Sequence, residues 1–307
     1  MARPAVPTTD LEFQGQFGTE GACYEFIRDS RWPDGFRCPG CGHDAAYHRV
    51  DRWGVECARC GTIVSATAGT VLHRTHVALR AWLWAAWLLV TGKRGLSALE
   101  LQKRLGVAYK TAFTMLHRLR HAMVAPQRSL LTGRVEVDET WVGGPVRGRG
   151  SGKFAGAQDV VVGAVEVRGN APTRIRLRSI PAVNRANVHR FIRENVEEGS
   201  TIVTDGNPSY LALEGYRHVV QVVGRDGLKE DDVLAYFHMM VGNLKAWLLG
   251  THHGAIREKH LQRYLDEFAF RFDQRRDLRA AFQTLLGLAP HVGRLTYEDL
   301  FTEGANP

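Results

Sequence analysis

Leu79, Trp82, Leu83, Ala86, Trp87 and Val90 recur at three- and four-residue spacing, which predicts a helix with one apolar face. The stretch 96–123 continues that period in two shorter parts. Leu99, Leu101 and Leu105 predict a first helix, Gly106 permits a sharp turn, and Val107 fills the corner. A second helix over 108–121 turns Ala108, Ala112, Met115 and Leu119 inward and leaves Tyr109, Lys110, Thr111, Thr114, Arg118 and His121 outside. From residue 133 the period drops to two. In 134–143, Val135, Val137, Glu139 and Trp141 alternate with Glu136, Asp138 and Thr140, as a strand requires. Further strands are predicted over 160–169, 174–180, 201–205 and 216–223. Helices are predicted over about 184–198, 230–249 and 255–276. Three sequential strands followed by alternating helix and strand imply a mixed sheet with helices on its faces.

The 307 residues are 44% hydrophobic and 23% charged. That leaves room for two domains of about 150 residues and excludes a wholly disordered or fibrous chain. The greasiest stretch, 81–90, is half the length of about 20 residues that a membrane span needs. The first residues show no basic start followed by an apolar run. A soluble, cytoplasmic protein without a membrane partner is expected. The net charge of +8 is concentrated: residues 71–130 hold ten Lys/Arg against one acid, Glu100. With the helix–turn–helix pattern, this is the footprint of a module that binds double-stranded DNA, its second helix entering the major groove.

All five cysteines precede residue 61, and four fall as Cys38-x-x-Cys41 and Cys57-x-x-Cys60. Gly42 and Gly61 follow the pairs and allow the backbone to turn tightly. Four thiolates suit tetrahedral zinc, and a site without an open position is structural. Short strands within 45–50 and 53–59 make it a zinc ribbon; two disulfides are the alternative, and they suit an oxidising compartment. Such ribbons bind nucleic acid or protein, and the spacing does not choose between them. Cys23 is left as a small buried hydrophobe.

The element order from 133 onward matches the ribonuclease-H-like fold, in which the first and fourth strands are neighbours. Asp138 lies mid-strand on the first, and Asp205 ends the fourth, just before Gly206. Hard Mg²⁺ or Mn²⁺ takes one or two carboxylates, waters and substrate phosphate. Two such ions can activate an attacking oxygen and stabilise a leaving one at a phosphodiester.

The segments GTVLHRTHVALRAWLWAAWLL, GRVEVDETWVGG, TDGNPSY and LLGTHHGAIREKHLQRYLDEFAFRFDQRR, after the cysteine pairs, resemble the insertion-sequence transposases with an N-terminal zinc ribbon. These are DDE-type enzymes of the IS-fifteen-ninety-five group, with an ISXO2-like transposase domain. The resemblance spans about residues 20–280. It implies a zinc ribbon and helix–turn–helix that bind terminal inverted repeats, and a catalytic domain that cuts DNA and joins the 3′ hydroxyl to a target. It makes Asp138 and Asp205 the first two catalytic acids. The family's third residue lies seven before a helical lysine; here that lysine is Lys245, and the third position is His238. Glutamate is usual there, with asparagine or histidine in some subgroups. An imidazole binds Mn²⁺ more readily than Mg²⁺. Lys245 is expected at DNA phosphate near the cleaved bond. Glu230, Asp231 and Asp232 are expected to cap the helix start, and Glu267 to pair with Arg271. Arg147 and Arg149 lie on a glycine-rich stretch expected to be a DNA-contacting hairpin tip.

The expected organisation is an N-terminal segment 1–70 with its zinc ribbon at about 36–65, a helical DNA-binding region 71–130, a ribonuclease-H-like domain 131–280 and a tail 281–307. The expected assembly is a homodimer or larger complex on DNA. A DNA-binding regulator with a degenerate catalytic domain is the alternative, and a structure-selective nuclease of the same fold is a third reading.

Overall fold

The computed structural model describes residues 6–49, 54–124, 128–143, 159–224, 227–229, 232–252, 256–277, 281–282 and 284–286. The chain divides into two compact units, Met1–Pro126 with Gln274–Pro307, and Gln127–Asp273.

The first unit opens with two helices, α1 (Asp10–Gln16) and α2 (Glu20–Arg31). Thr9 and Thr19 cap them by accepting from the Glu12 and Ala22 amides. A three-stranded antiparallel sheet follows, β1 (Ala46–Arg49), β2 (Gly54–Cys57) and β3 (Ile63–Ser65), in the order β1-β2-β3. The third strand was not anticipated from sequence. Next comes α3 (Leu79–Thr91), whose apolar face is buried as its spacing predicts. Its first amides, Leu79 and Arg80, donate to the Glu20 carboxylate at 2.8 and 2.9 Å, so an acid from α2 caps it.

Helices α4 (Ala98–Leu105) and α5 (Tyr109–Ala122) are joined by a short turn at Gly106. Ser97 caps α4 on the Glu100 amide, and Gly106 closes it in the left-handed conformation, φ 65°. Leu101, Ala112, Met115, Leu116 and Leu119 are buried. Leu99 is 58% exposed, against expectation, because one turn of α4 cannot face both Leu99 and Leu101 inward. Residues from the end of the chain complete the unit. The buried Phe282 ring sits 5.5 Å from Trp87 and 6.3–6.4 Å from Phe13, Phe17 and Phe26.

The second unit is a five-stranded mixed sheet. Its strands are β4 (Arg134–Val142), β5 (Asp159–Arg168), β6 (Ala171–Ile180), β7 (Thr201–Thr204) and β8 (Arg217–Val220), in the order β6-β5-β4-β7-β8. β4 is central, antiparallel to β5 and parallel to β7, and β7 is parallel to β8. Helix α6 (Arg185–Asn195) covers one face; its Val188, Phe191 and Ile192 pack on Val135, Val137 and Ile202. Helices α7 (Ala235–His252) and α8 (Glu258–Asp273) cover the other, with Phe237, Met240, Leu244 and Leu265 against Val161, Val165 and Leu177. In domain order the strands run 3-2-1-4-5, the first three antiparallel. This is the ribonuclease-H-like α/β fold, preceded in the chain by a zinc-ribbon arrangement and by the helices α3, α4 and α5.

Candidate active site

Asp138 is at the middle of β4 and points to the face covered by α7 and α8. Its backbone neighbour on β5 is Gly163. A Cβ at Gly163 would lie 2.9 Å from Phe237 Cε2 and 3.0 Å from Leu177 Cδ2. The missing side chain therefore lets α7 settle onto the sheet beside Asp138.

The start of α7 differs from expectation. The helix begins at Ala235, because Leu234 adopts φ 47° and breaks the preceding turn. Its open amides, Tyr236 and Phe237, both donate to Glu136 Oε2 at 3.0 Å. Glu136 is buried on β4, two residues before Asp138. Capping thus comes from a distant strand, while Asp232 accepts from the Lys229 amide. Glu230 and Asp231 lie outside the described residues.

Asp205 follows the last residue of β7. Its Oδ1 accepts from the Asn207 amide at 2.9 Å, and Gly206 between them takes φ 100°, a conformation glycine tolerates best. A Cβ on Gly206 would also meet Val220 Cγ1 at 3.0 Å. Asn207 caps the 3-10 turn Pro208–Tyr210 by accepting from the Ser209 amide at 2.9 Å. The same side chain donates to Glu139 Oε1 at 2.9 Å, and Tyr210 donates its hydroxyl to Glu139 Oε2 at 2.7 Å. Glu139, Asn207 and Tyr210 were not picked out from sequence as site residues, although all lie within the VDET and TDGNPSY motifs.

Asp138 is 9% exposed and accepts from the Glu139 amide at 2.8 Å. Burial, with the nearby Glu139 and Asp205 carboxylates adding to it, pushes its carboxyl up from 3.8 to about 7. Among the described residues neither Asp138 nor Asp205 takes part in an ion pair. A desolvated acid beside a second acid, with no cation of the protein's own, is a donor set that fits a hard divalent ion.

His238 and Lys245 are exposed on α7, seven residues apart and so on one side of it. Among the described residues, the only group of three or more metal-ligand side chains within 4.8 Å of one another is the cysteine cluster. Asp138, Asp205 and His238 are not drawn that close. Glu267 is fully buried on α8, 3.7 Å from Arg271. On α5, Lys110 is exposed and Thr111 and Thr114 half-buried. The Arg118 guanidinium donates to the Val71 and His73 carbonyls at 3.4 and 3.3 Å. Arg147 and Arg149 lie outside the described residues.

In the ribbon, the four Sγ atoms of Cys38, Cys41, Cys57 and Cys60 lie within 4.8 Å of one another. Cys38–Cys60 and Cys41–Cys57 are 3.5 and 3.6 Å apart, too long for disulfides. They are near the edge of about 3.8 Å that Zn–S bonds of about 2.3 Å give a tetrahedron. Two matching turns build the site. The Gly42 and Gly61 amides donate to the Cys38 and Cys57 carbonyls, and the Cys38 and Cys57 amides to the His43 and Thr62 carbonyls. Cys23 is buried in the first unit, as expected.

A ribonuclease-H-like sheet with one acid on its first strand and another just past its fourth, in a chain with a four-cysteine ribbon, defines a class of domain architecture. Comparison with known proteins narrows it. Residues 130–273 match the ISXO2-like transposase domain, and residues 18–62 the transposase zinc-ribbon domain. The chain thus carries matches to both domains of the insertion-sequence DDE-type transposases with an N-terminal zinc ribbon, the IS-fifteen-ninety-five group. It is 25% identical over 298 residues to an uncharacterized protein in transposable element ISH50 of Halobacterium salinarum (strain ATCC 700922 / JCM 11081 / NRC-1), covering 89% of this chain and 98% of that one. Two solved structures align more loosely. One is a chain of the simian T-cell lymphotropic virus intasome in complex with PP2A regulatory subunit B56 gamma (TM-score 0.30, 15% identity, 55% of this chain and 63% of that chain). The other is from the Mos1 transposase paired-end complex with left transposon end (TM-score 0.24, 13% identity, 65% of this chain and 78% of that chain). Among the described residues no helix is long and apolar enough to cross a membrane.

Proposed function

We propose that this transposase binds the terminal inverted repeats of an insertion sequence, hydrolyses phosphodiester bonds at its ends, and joins the freed 3′ hydroxyl to target DNA. The observation that carries the reading is that β4 runs parallel to β7, with Asp138 and Asp205 each two residues past the Glu136–Val203 pair, near enough for the Asp205 charge to raise the Asp138 carboxyl, and among the described residues neither acid takes part in an ion pair. In the first step a water oxygen attacks phosphorus and the 3′ oxygen leaves as a hydroxyl. In the second, that hydroxyl attacks a target phosphodiester and displaces its 3′ oxygen. Mg²⁺ or Mn²⁺ held by Asp138 and Asp205 would supply Lewis-acid stabilisation of the oxygen charge in both steps. Asp138 would provide the buried ligand and Asp205 the more exposed one. His238 occupies the third position, and Lys245, about 10 Å further along α7, meets phosphate. Lys110, Thr111, Thr114 and Arg118 on α5, with Arg147 and Arg149, contact DNA; for Arg118 this means exchanging its carbonyl partners. The four cysteines hold a structural zinc. Pairing of two DNA ends calls for a homodimer or larger assembly, working in the cytoplasm on nucleoid DNA. The organisation proposed is that of the sequence reading, 1–70, 71–130, 131–280 and 281–307, with residues past 280 also contributing to the first unit's core.

His238 in place of glutamate is the feature that favours a second reading, a DNA-binding regulator with an inactive catalytic domain. The test is cleavage and joining of the gene's own flanking DNA in Mg²⁺ or Mn²⁺ by the wild type, Asp138→Ala and His238→Ala. Activity in the wild type alone supports the transposase with His238 in the site. Full activity of His238→Ala removes His238 from the site. Binding without cutting in either metal supports the regulator.

A further inference from the structure

We propose that Glu139 is a positioning residue which, through Tyr210 and Asn207, sets Asp205 against Asp138. This rests on the assignment of Asp138 and Asp205 as the metal-holding acids. Glu139 follows Asp138 on β4, so its side chain leaves from the opposite face of the sheet, the one covered by α6. Both of its oxygens are engaged there, Oε1 by Asn207 Nδ2 and Oε2 by the Tyr210 hydroxyl. Tyr210 is fully buried among Val135, Val137 and Phe191, which fixes the donor in place. Asn207 is the relay. Its side chain is held by Glu139, and its own amide donates to Asp205 Oδ1. A shift of Glu139 therefore reaches the Asp205 carboxylate through one residue. Burial and the Glu139 charge both raise the Tyr210 phenol, keeping it a neutral donor over the working pH range. Hydrogen-bonded groups that orient metal ligands have the same effect elsewhere: their loss costs about 10–100-fold in metal affinity.

The experiment uses the full-length, zinc-loaded chain and measures Mn²⁺ binding by the loss of the free-ion electron paramagnetic resonance signal. Wild type, Glu139→Ala, Tyr210→Phe and Asp138→Ala are compared. Far-UV circular dichroism checks the fold, and hydrogen exchange follows the 205–210 turn without Mn²⁺. Expected are Mn²⁺ dissociation constants raised about tenfold in Glu139→Ala and several-fold in Tyr210→Phe, faster exchange in the turn in both, and wild-type occupancy at high Mn²⁺. Tyr210→Phe, which keeps the core shape, serves if Glu139→Ala folds poorly. Unchanged Mn²⁺ affinity in folded Tyr210→Phe and Glu139→Ala overturns the proposal. So does loss of binding in Glu139→Ala that high Mn²⁺ does not restore, since Glu139 is then itself a ligand. Unimpaired Mn²⁺ binding by Asp138→Ala instead overturns the site assignment and removes the basis of the proposal with it.

Discussion

Replacing Asp138 by asparagine is expected to stabilise the metal-free catalytic unit, in a way that depends on pH. The carboxyl stands near 3.8 in the unfolded chain and about 7 in the folded one. Below about pH 4 it is protonated in both states and contributes nothing to the difference. Between these values the unfolded chain releases the proton while the folded chain retains it, so wild-type stability falls as pH rises. Above about 7 the folded state carries the full cost of a desolvated charge. Three pKa units at 1.36 kcal/mol each make that cost about 4 kcal/mol. Asparagine keeps an oxygen for the Glu139 amide and has no charge to bury. The stability gained by Asp138→Asn should therefore climb from near zero at pH 4 to about 4 kcal/mol at pH 8, and shrink when Mg²⁺ or Mn²⁺ is added at pH 8. The assay is urea titration at pH 4, 5, 6, 7 and 8, with folded β4 and β5 read by pulsed hydrogen exchange at one labelling pH. A gap that stays constant across this range, or is absent at pH 8, would refute the reasoning.

Gly163→Ala puts a methyl against Phe237 and Leu177; a loss of about 1–3 kcal/mol is expected from overpacking, with faster hydrogen exchange in the first turn of α7. Phe282→Ala should cost the first unit about 3–5 kcal/mol, seen as loosened exchange in α1 and α3 with β4 and β5 unchanged. Elemental analysis should find one zinc per wild-type chain. Cys57→Ser should lower that content, and chelation should increase exchange in β1–β3 while leaving the β4–β8 sheet as it was.

The parts of this molecule that depend on short-range periodicity were legible in the sequence. The apolar face of α3, the turn at Gly106, the cysteine spacing and the strand alternation around Asp138 all follow from residues close together in the chain, the cysteines being the widest set at 22 positions. What was not legible depends on partners far away in the chain. The amides opening α3 and α7 are capped by Glu20 and Glu136, 59 and 100 residues from the first amide each receives. Local acids at 230–232 looked equally suitable because their composition is right for a cap. Glu139 alternates as a strand residue should, but its partners Asn207 and Tyr210 lie 68 and 71 positions on. Leu99 misled because apolar spacing over one turn does not say which of two neighbouring leucines faces inward. The basic segment was legible as charge, but not in its use. Arg120 is buried with its guanidinium on the Leu96 carbonyl, and Arg104 pairs with Glu100.

The place of Phe282 among Phe13, Phe17, Phe26 and Trp87 sets an order of maturation during synthesis. Elongation runs from the N-terminus, so every strand and helix of the β4–β8 unit has been made before residue 282 is added. The aromatic cluster beside α1, α2 and α3 lacks its central ring for the whole of that interval. Domains of a nascent chain generally mature in the order in which they emerge; here the unit that begins first is completed last. A chain ending before residue 282 would contain every strand of the β4–β8 sheet but lack the ring that packs against Phe13, Phe17, Phe26 and Trp87.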